Sequence, residues 1–506
     1  MKIAFVYPSF ESIGIEYLSA SLKKKGHKTK LVFDPCLFDD AYWKNNLLKK
    51  VFSFKKYVNM EIIDFSPDMV AFSVVTDRYL WACESAARLK SVYEDIPILF
   101  GGIHPTSVPE RVIKEDFIDF VITGEAEKPI VELADCIEKG RSKHKVPNLW
   151  YKKNGKIVRN QTNSLIEDLD SLPFPDKDLY KGELNQIGGC YNIITSRGCP
   201  FNRSFCNNNV LRKLYENKGE YRRRRSVQNV IQELKQAKNK YKINQVNFFD
   251  EEFFLEKDWI RDFLPIYREE INIPYFCYIN SELIDKDSLD LLQNTGCISV
   301  ALGVETLNPT LNKEALNKKF SLEKVHKIIT VLKNTSVNLT VFLMFGIPGQ
   351  TEEDLIEQIK YFNVNRVDEI RTFWLRCYPK TDILNIVKEN KHLKTDKVGL
   401  IGKGESSFYL GGDTYNADFA RIIQVYNLIN FLPKKIIDFI IKNKIYRLFP
   451  QRNFKNKIIF LMILKHNIES FFGKKSNYTF LFQKRYFFYL YYMVKKIKRE
   501  ITKKIL

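Results

Sequence analysis

Short apolar runs separated by amphipathic stretches recur along the first four hundred residues. In the first part the runs are Ile3–Val6, Thr29–Phe33, Met69–Val75, Ile96–Phe100 and Phe117–Ile122, and Tyr17–Lys25 carries a helical period that stops at Gly26. Continuous rather than alternating apolar strands suit a parallel sheet covered on both faces. Residues 1–145 are therefore expected to form an α/β, doubly wound, Rossmann-like domain that binds its ligand beyond the carboxyl ends of its strands. The residues at those ends are Pro8-Ser9, Ser73 to Thr76, the turn from Gly101-Gly102 to Thr106, and Gly124-Glu125. Taken alone, Gly101-Gly102 reads equally well as a tight turn that needs positive φ.

Residues 146–185 read as a connector. They contain Pro147, Pro173 and Pro175 and a hairpin-like patch, Trp150–Val158, around Asn154-Gly155. A second alternation fills residues 186–400. Its strands are expected at Asn192–Thr195, Gln245–Phe249, Tyr275–Tyr278, Ser299–Gly303, Leu339–Phe345 and Glu369–Leu375, with helices such as Val227–Tyr241, Lys257–Arg268 and Leu322–Lys333 between them. Six βα units predict a partial barrel or an open parallel sheet, active at the carboxyl ends of its strands.

Composition narrows this picture. The 506 residues exceed one hydrophobic core, and 45% apolar with 14% aromatic residues excludes disordered and fibrous classes. No stretch supplies the ~18 apolar residues of a membrane span, and Met1–Pro8 starts a strand pattern rather than a secretory signal, so a cytoplasmic protein is expected. The nine cysteines are scattered, unlike a disulfide scaffold. The net charge of +20 sits mostly in residues 431–506, with nineteen Lys or Arg against Asp438, Glu469 and Glu500. Residues 401–506 are expected to be mostly helical, and Lys434–Lys442 and Tyr486–Arg499 mix aromatic or aliphatic residues with lysine. That pattern fits a helical cap on the barrel, a membrane-surface helix or a nucleic-acid contact.

The sharpest local signal is the loop from Thr195 to Cys206, containing Cys199-Pro200-Phe201-Asn202-Arg203-Ser204-Phe205-Cys206. Two cysteines seven residues apart by themselves favour structural thiols over a cluster. The segment resembles the cluster loop of the radical S-adenosylmethionine (SAM) proteins, a cysteine followed after three residues by a second and after two more by a third. Here the middle position holds Arg203. The resemblance implies a [4Fe-4S] iron-sulfur cluster on Cys199 and Cys206, with SAM bound beside it and cleaved reductively. It also implies SAM contacts at Phe205, Asp250, Glu251, Glu305, Gly346 and Gly349, because Asp250-Glu251, Gly303 to Thr306 and Gly346 to Thr351 match the family's strand ends. The individual alternatives are an acidic helix cap and a Gly-Pro turn.

Residues 1–145 are similar to the B12 (cobalamin)-binding domain that precedes the barrel in many such proteins. The similarity is carried by Ile13 to Leu18, Lys25-Gly26-His27, Pro67 to Val70, Gly101 to Thr106, Gly124 to Glu127 and the connector Asp168 to Pro175. It implies cobalamin contacts at Ser73, Thr76, Gly101, Gly102, Thr106, Gly124 and Glu125. No Asp-x-His-x-x-Gly motif surrounds His27 or His104, so cobalt is expected to lack a histidine from this chain.

Arg203 departs from the family pattern. A guanidinium stays charged and is no iron ligand. Cys190 and Cys297 precede their strands, which at ~3.3 Å per residue puts them at the far end from the loop, while Cys277 and Cys377 are less easily set aside. Three readings follow from the resemblance. One is a B12-binding radical SAM enzyme performing methylation or rearrangement on an unknown small-molecule or lipid-like substrate, with a flavodoxin or ferredoxin as electron donor. Another is a catalytically degenerate member that binds SAM or corrinoid without a normal cluster. The last is an RNA-modifying enzyme recruited by its basic tail; nucleic acid ranks lowest because the tail holds no recognisable RNA-binding module. For the basic C-terminal region a helical cap on the barrel ranks first, and a peripheral membrane contact through residues 431–506 is the next alternative.

Overall fold

The computed structural model describes residues 1–39, 45–181, 183, 189–389, 401, 414, 416–451 and 488–498. The first sheet is built from β1 (Lys2–Pro8), β2 (Lys28–Asp34), β3 (Met69–Ser73), β4 (Ile98–Gly101), β5 (Phe120–Ile122), β6 (Leu149–Lys153) and β7 (Lys156–Arg159), in the order β2-β1-β3-β4-β5-β6-β7. The first five are parallel, with Ile3 beside Thr29 on one side and Met69 on the other. Ile3, Phe5 and Tyr7 of β1 enter one core and Ala4 and Val6 the other, which is why these strands read as unbroken apolar runs. The order reverses between β2-β1 and β3, and the ligand edge of a doubly wound sheet lies at such a point.

The hairpin β6-β7 does not belong to a connector. It pairs antiparallel with β5, Phe120 opposite Tyr151, and buries Leu149 and Trp150. The first domain therefore runs to Arg159 rather than ending at residue 145. The added pair covers an edge of β5 that would otherwise leave unpaired backbone groups.

The second sheet is built from β8 (Cys190–Ile193), β11 (Gln245–Phe248), β12 (Tyr275–Ile279), β13 (Cys297–Glu305), β14 (Asn338–Phe345) and β15 (Glu369–Trp374). It is wholly parallel, in the order β15-β14-β13-β12-β11-β8. This is the expected open six-unit barrel, its outer helices burying Val230, Phe263, Val325 and Ile359 against the strands. A short antiparallel pair, β9 (Ser196–Arg197) and β10 (Arg223–Arg224), fastens the loop that follows β8.

The helices Ala417–Leu428 and Lys434–Lys442 pack on the barrel, Tyr426 against Phe345 with ring centroids 5.2 Å apart. Residues 488–498 rest on the first domain instead, where Phe488, Tyr489 and Tyr492 meet Phe33, Phe38 and Phe54. The cap expected on the barrel thus serves both domains; residues 452–487 of that region lie outside the described residues. Among the described residues no helix is long and apolar enough to cross a membrane.

Candidate functional site: two facing strand edges

The carboxyl ends of both sheets meet at one seam. Arg376, just past β15, pairs with Asp77, just past β3. Arg197, past β8, reaches Glu125 at 3.1 Å and Glu127 at 2.6 Å, both past β5, and Arg223 reaches Glu125 at 2.9 Å. Two arginines hold the Glu125 carboxyl below the usual range although burial opposes this. Beside these pairs, Lys177 is buried between Glu11 and Glu16, 2.6 Å from each, and donates to the Asn192 carbonyl 2.8 Å away. Burial forces the Glu16 carboxyl well above its ordinary range, against the attraction of Lys177.

On the barrel side, the loop after β8 turns at Gly198. There φ is +87° and a Cβ would lie 2.1 Å from the Tyr221 carbonyl oxygen, so no other residue fits. Cys199 is buried and Cys206 half-buried; burial pushes the Cys199 thiol up to about 12 and raises that of Cys206. Arg212 donates to the carbonyls of Cys199 and Phe201, and Asn209 to that of Arg203 at 2.8 Å. Arg203 turns into the barrel mouth, Nη2 2.9 Å from Glu252 Oε1 and its guanidinium 5.2 Å above the Phe201 ring. Asn280 Nδ2 donates to the same Glu252 oxygen at 3.2 Å. A cavity of about 270 Å³ opens here, lined by Arg203, Glu251, Glu252, Tyr278, Asn280 and Phe342 among others.

Asp250 is placed differently from expectation. Its buried carboxylate accepts from Thr195 N (3.0 Å), Thr195 Oγ1 (2.7 Å) and Ser196 Oγ (2.5 Å), fastening the end of β11 to the end of β8. Three of these bonds fall on Oδ1, so the group positions the loop; Asp250 lines the same cavity as Glu251, which is exposed at the rim. Glu305 sits on a bulge of β13 at φ +67°, with Oε1 3.1 Å from Lys318 Nζ; Lys318 also donates to the Gly303 carbonyl at 2.7 Å. A Cβ at Gly303 would lie 2.9 Å from Glu305 Oε1, so the glycine makes room for this fold-back. Phe205 packs against the apolar cluster that includes Leu316 and Ile347. In the glycine-rich loop the Gly346 N–H is satisfied by Gln350 Oε1 at 2.9 Å, and Gly346 and Gly349 both take positive φ.

The first-domain edge is made of small groups. Thr106 Oγ1 donates to the Gly102 carbonyl (2.7 Å) and accepts from Gly124 N (2.9 Å), tying the ends of β4 and β5. Gly102 is a turn glycine, since at φ +95° its Cβ would meet Val74 N at 2.8 Å. Gly101 is bare, the nearest neighbour of a Cβ there being Ile122 O at 3.7 Å. Gly124 and Glu125, expected at cobalamin, are covered by the barrel instead. A Cβ on Gly124 would lie 2.1 Å from Tyr215 Oη, and Glu125 N donates to that oxygen at 2.6 Å. Thr76 is buried and bonded to His104 Nδ1 at 3.2 Å; Ser73 and Gly101 stay half open at the edge. His104 is fully buried, its ring 4.3 Å from that of Tyr79, and His27 precedes β2 at the opposite end of the sheet. Neither imidazole is presented to a ligand at this edge.

These residues fit the implied groups unequally. Bare backbone at Gly101 and the Ser73 hydroxyl suit a broad, amide-fringed corrinoid, and the charged cavity suits SAM. Two thiols and a guanidinium do not fit a normal [4Fe-4S] cluster. Sequence reasoning passed over Glu252 and Lys318; the signal was the third consecutive acid after β11 and a lysine pair ahead of the helix Leu322–Leu332.

Comparison with known proteins agrees with this layout. The chain is 27% identical over 417 residues to an uncharacterized methyltransferase, PH0819, of Pyrococcus horikoshii, covering 78% of this chain and 85% of that one. It is 25% identical over 385 residues to the anaerobic magnesium-protoporphyrin IX monomethyl ester cyclase of Rubrivivax gelatinosus, 71% and 65% covered. In fold it matches the radical SAM methyltransferase TsrM of Kitasatospora setae, solved with cobalamin and a [4Fe-4S] cluster, with TM-score 0.60 at 18% identity over 77% of this chain and 75% of that one. The B12 binding domain family matches residues 3–134 and the Radical SAM superfamily residues 193–362, and with the two sheets in that order the chain belongs to the B12-binding radical SAM proteins.

Proposed function

We propose that this chain binds SAM in the barrel mouth and a corrinoid at the facing edge of the first domain, and serves methyl transfer to a small molecule held between them. The observation that carries this reading is the seam, where Asp77–Arg376 and Glu125–Arg197 draw the ligand-binding ends of both sheets together. Bound SAM supplies an activated methyl group, and a bound corrinoid supplies a metal centre able to carry one. The chain's own residues do the holding. Phe205 and the Gly346–Gly349 turn flank the nucleoside side, Glu251 meets an ammonium, Glu305 takes hydroxyl donors, and Ser73 and Gly101 support the corrinoid. A corrinoid site also implies a one-electron donor of the flavodoxin or ferredoxin kind.

Binding tests this directly. One SAM and one hydroxocobalamin per chain are expected by calorimetry and by absorbance after gel filtration. Gly101→Leu, which fills the bare edge, should lose cobalamin and keep SAM. Retention of neither ligand overturns the reading.

A specific feature supports a peripheral membrane position. Ile436, Phe439 and Leu448 are exposed among Lys434, Lys435, Lys442 and Lys444, a mixture suited to an anionic lipid surface. Co-sedimentation with phosphatidylglycerol vesicles that falls in Phe439→Ser and Leu448→Ser supports it; no co-sedimentation removes it.

A further inference from the structure

The third position of the cluster loop is filled by a built ion pair. Arg203 and Glu252 meet at 2.9 Å, with side chains 21% and 5% exposed, and Asn280 supplies Glu252 with one more donor. A carboxylate this buried is costly unless paired, and removing Arg203 would leave it the Asn280 amide and the more distant charge of Lys318. The backbone around Arg203 is equally fixed, its carbonyl accepting from Asn209 and the next residue, Ser204, donating through Oγ to the Ala315 carbonyl at 2.5 Å. Cys190 and Cys297 open β8 and β13 at the amino ends of those strands, Cys277 is buried within β12, and Cys377 is buried in an apolar cluster.

The guanidinium keeps capacity for a ligand. Its Nη2 serves Glu252, while Nε is buried with no hydrogen-bond partner. Arg203 lines the 270 Å³ cavity together with Glu251, an exposed residue whose side chain also accepts from Asn208. A cation and an anion on one aromatic-walled cavity match an α-amino acid zwitterion, and a guanidinium binds a carboxylate through parallel N–H bonds.

We propose that this mouth takes the amino-acid end of SAM by ion pairing, carboxylate on Arg203 and ammonium on Glu251, in place of chelation by an iron, so that the chain binds SAM without an iron-sulfur cluster. The inference rests on the SAM-binding reading above and deepens it. The test uses the full chain, reconstituted anaerobically with iron and sulfide, then assayed for iron, acid-labile sulfide and EPR. In parallel, SAM and 5′-methylthioadenosine, which shares the nucleoside but lacks the amino-acid end, are titrated into iron-free protein.

Wild type should stay far below the four irons of a complete cluster yet bind SAM, and Arg203→Cys should approach about four. Arg203→Met should weaken SAM about tenfold or more and leave methylthioadenosine unchanged, with Arg203→Lys recovering part of the loss. About four irons on wild type with an EPR spectrum that shifts on adding SAM would overturn the inference, as would unchanged SAM affinity in Arg203→Met. An iron-poor Arg203→Cys would overturn the assignment of the closure to Arg203. Binding of methylthioadenosine without SAM defeats the ion-pair clamp alone; binding of neither defeats the SAM reading and the clamp with it.

Discussion

The two strand edges that meet at the seam share a topology and differ in how they are built. The first-domain edge is defined by what is missing. Gly102 brings backbone against backbone, Gly124 admits the Tyr215 ring, Gly101 is left bare, and the nearby imidazole of His104 is shut beneath the surface. The barrel mouth is defined by compensated charge, with Arg203 on Glu252, Lys318 on Glu305, and Lys177 on Glu11 and Glu16 at its flank. An edge of the first kind is damaged by adding an atom, and one of the second kind by removing a partner. The difference suits their ligands, a broad neutral face on one side and a zwitterion on the other.

Removing one charge at the seam should give the largest effect. Lys177→Met leaves two carboxylates buried without their cation, a loss of about 3–5 kcal/mol. Because Lys177 lies between Glu11 and Glu16 of the first domain and Asn192 of β8, calorimetry should show both domains melting earlier. Adding Glu16→Leu, which removes the fully buried carboxylate, should restore much of the loss. A Lys177→Met protein as stable as wild type would break the comparison at its strongest point.

Adding a methyl at the other edge should cost less and stay local. Gly102→Ala pushes a Cβ to 2.8 Å from Val74 N and 2.9 Å from Val74 O at φ +95°. Overpacking and the left-handed backbone together predict a loss of about 1–3 kcal/mol confined to the first transition. Gly101→Ala is the control. Its Cβ finds nothing closer than 3.7 Å, so it should change stability by less than about 0.5 kcal/mol. Equal effects at the two glycines would mean that the edge is not built by close backbone approach.

Most of the fold was legible because parallel strands buried on both faces announce themselves as apolar runs. All six barrel strands lie where the runs placed them, and β1, β2, β3 and β4 overlap theirs within a few residues. The hairpin β6-β7 was read as a separate patch because antiparallel pairing with β5 is a long-range choice that local turn chemistry at Asn154-Gly155 does not encode. At the site, motif positions were legible and side-chain directions were not. Asp250 and Glu125 stand at the expected strand ends, yet hydrogen bonds to Thr195 and Ser196 claim the one, and Arg197 and Arg223 the other. Glu252 and Lys318 lie outside the recognised motifs, so only the geometry shows them paired to Arg203 and Glu305.

Protonation offers the mildest way to sharpen the contrast. Burial, reinforced by the charge of Arg111, lowers the pKa of His104 from 6.5 to about 3, with Thr76 and Tyr79 as its other close neighbours. The unfolded chain therefore binds a proton that the folded chain refuses between those values. Stability from this group is complete above pH 6.5 and falls as the pH drops toward 3, by about 1.4 kcal/mol for each unit once below the unfolded value. Glu16, raised by burial, acts in the opposite sense, because a folded state that holds its proton more tightly gains stability as pH falls. The informative quantity is accordingly a difference between two proteins rather than one slope. Urea unfolding of the first domain within the full chain, followed from pH 7.5 to 5.5, should show wild type losing about 1.4 kcal/mol more than His104→Gln below pH 6.5. Parallel pH profiles for the two proteins would mean that the imidazole charges without cost, and the first-domain edge would then have to be counted with the charged mouth it faces.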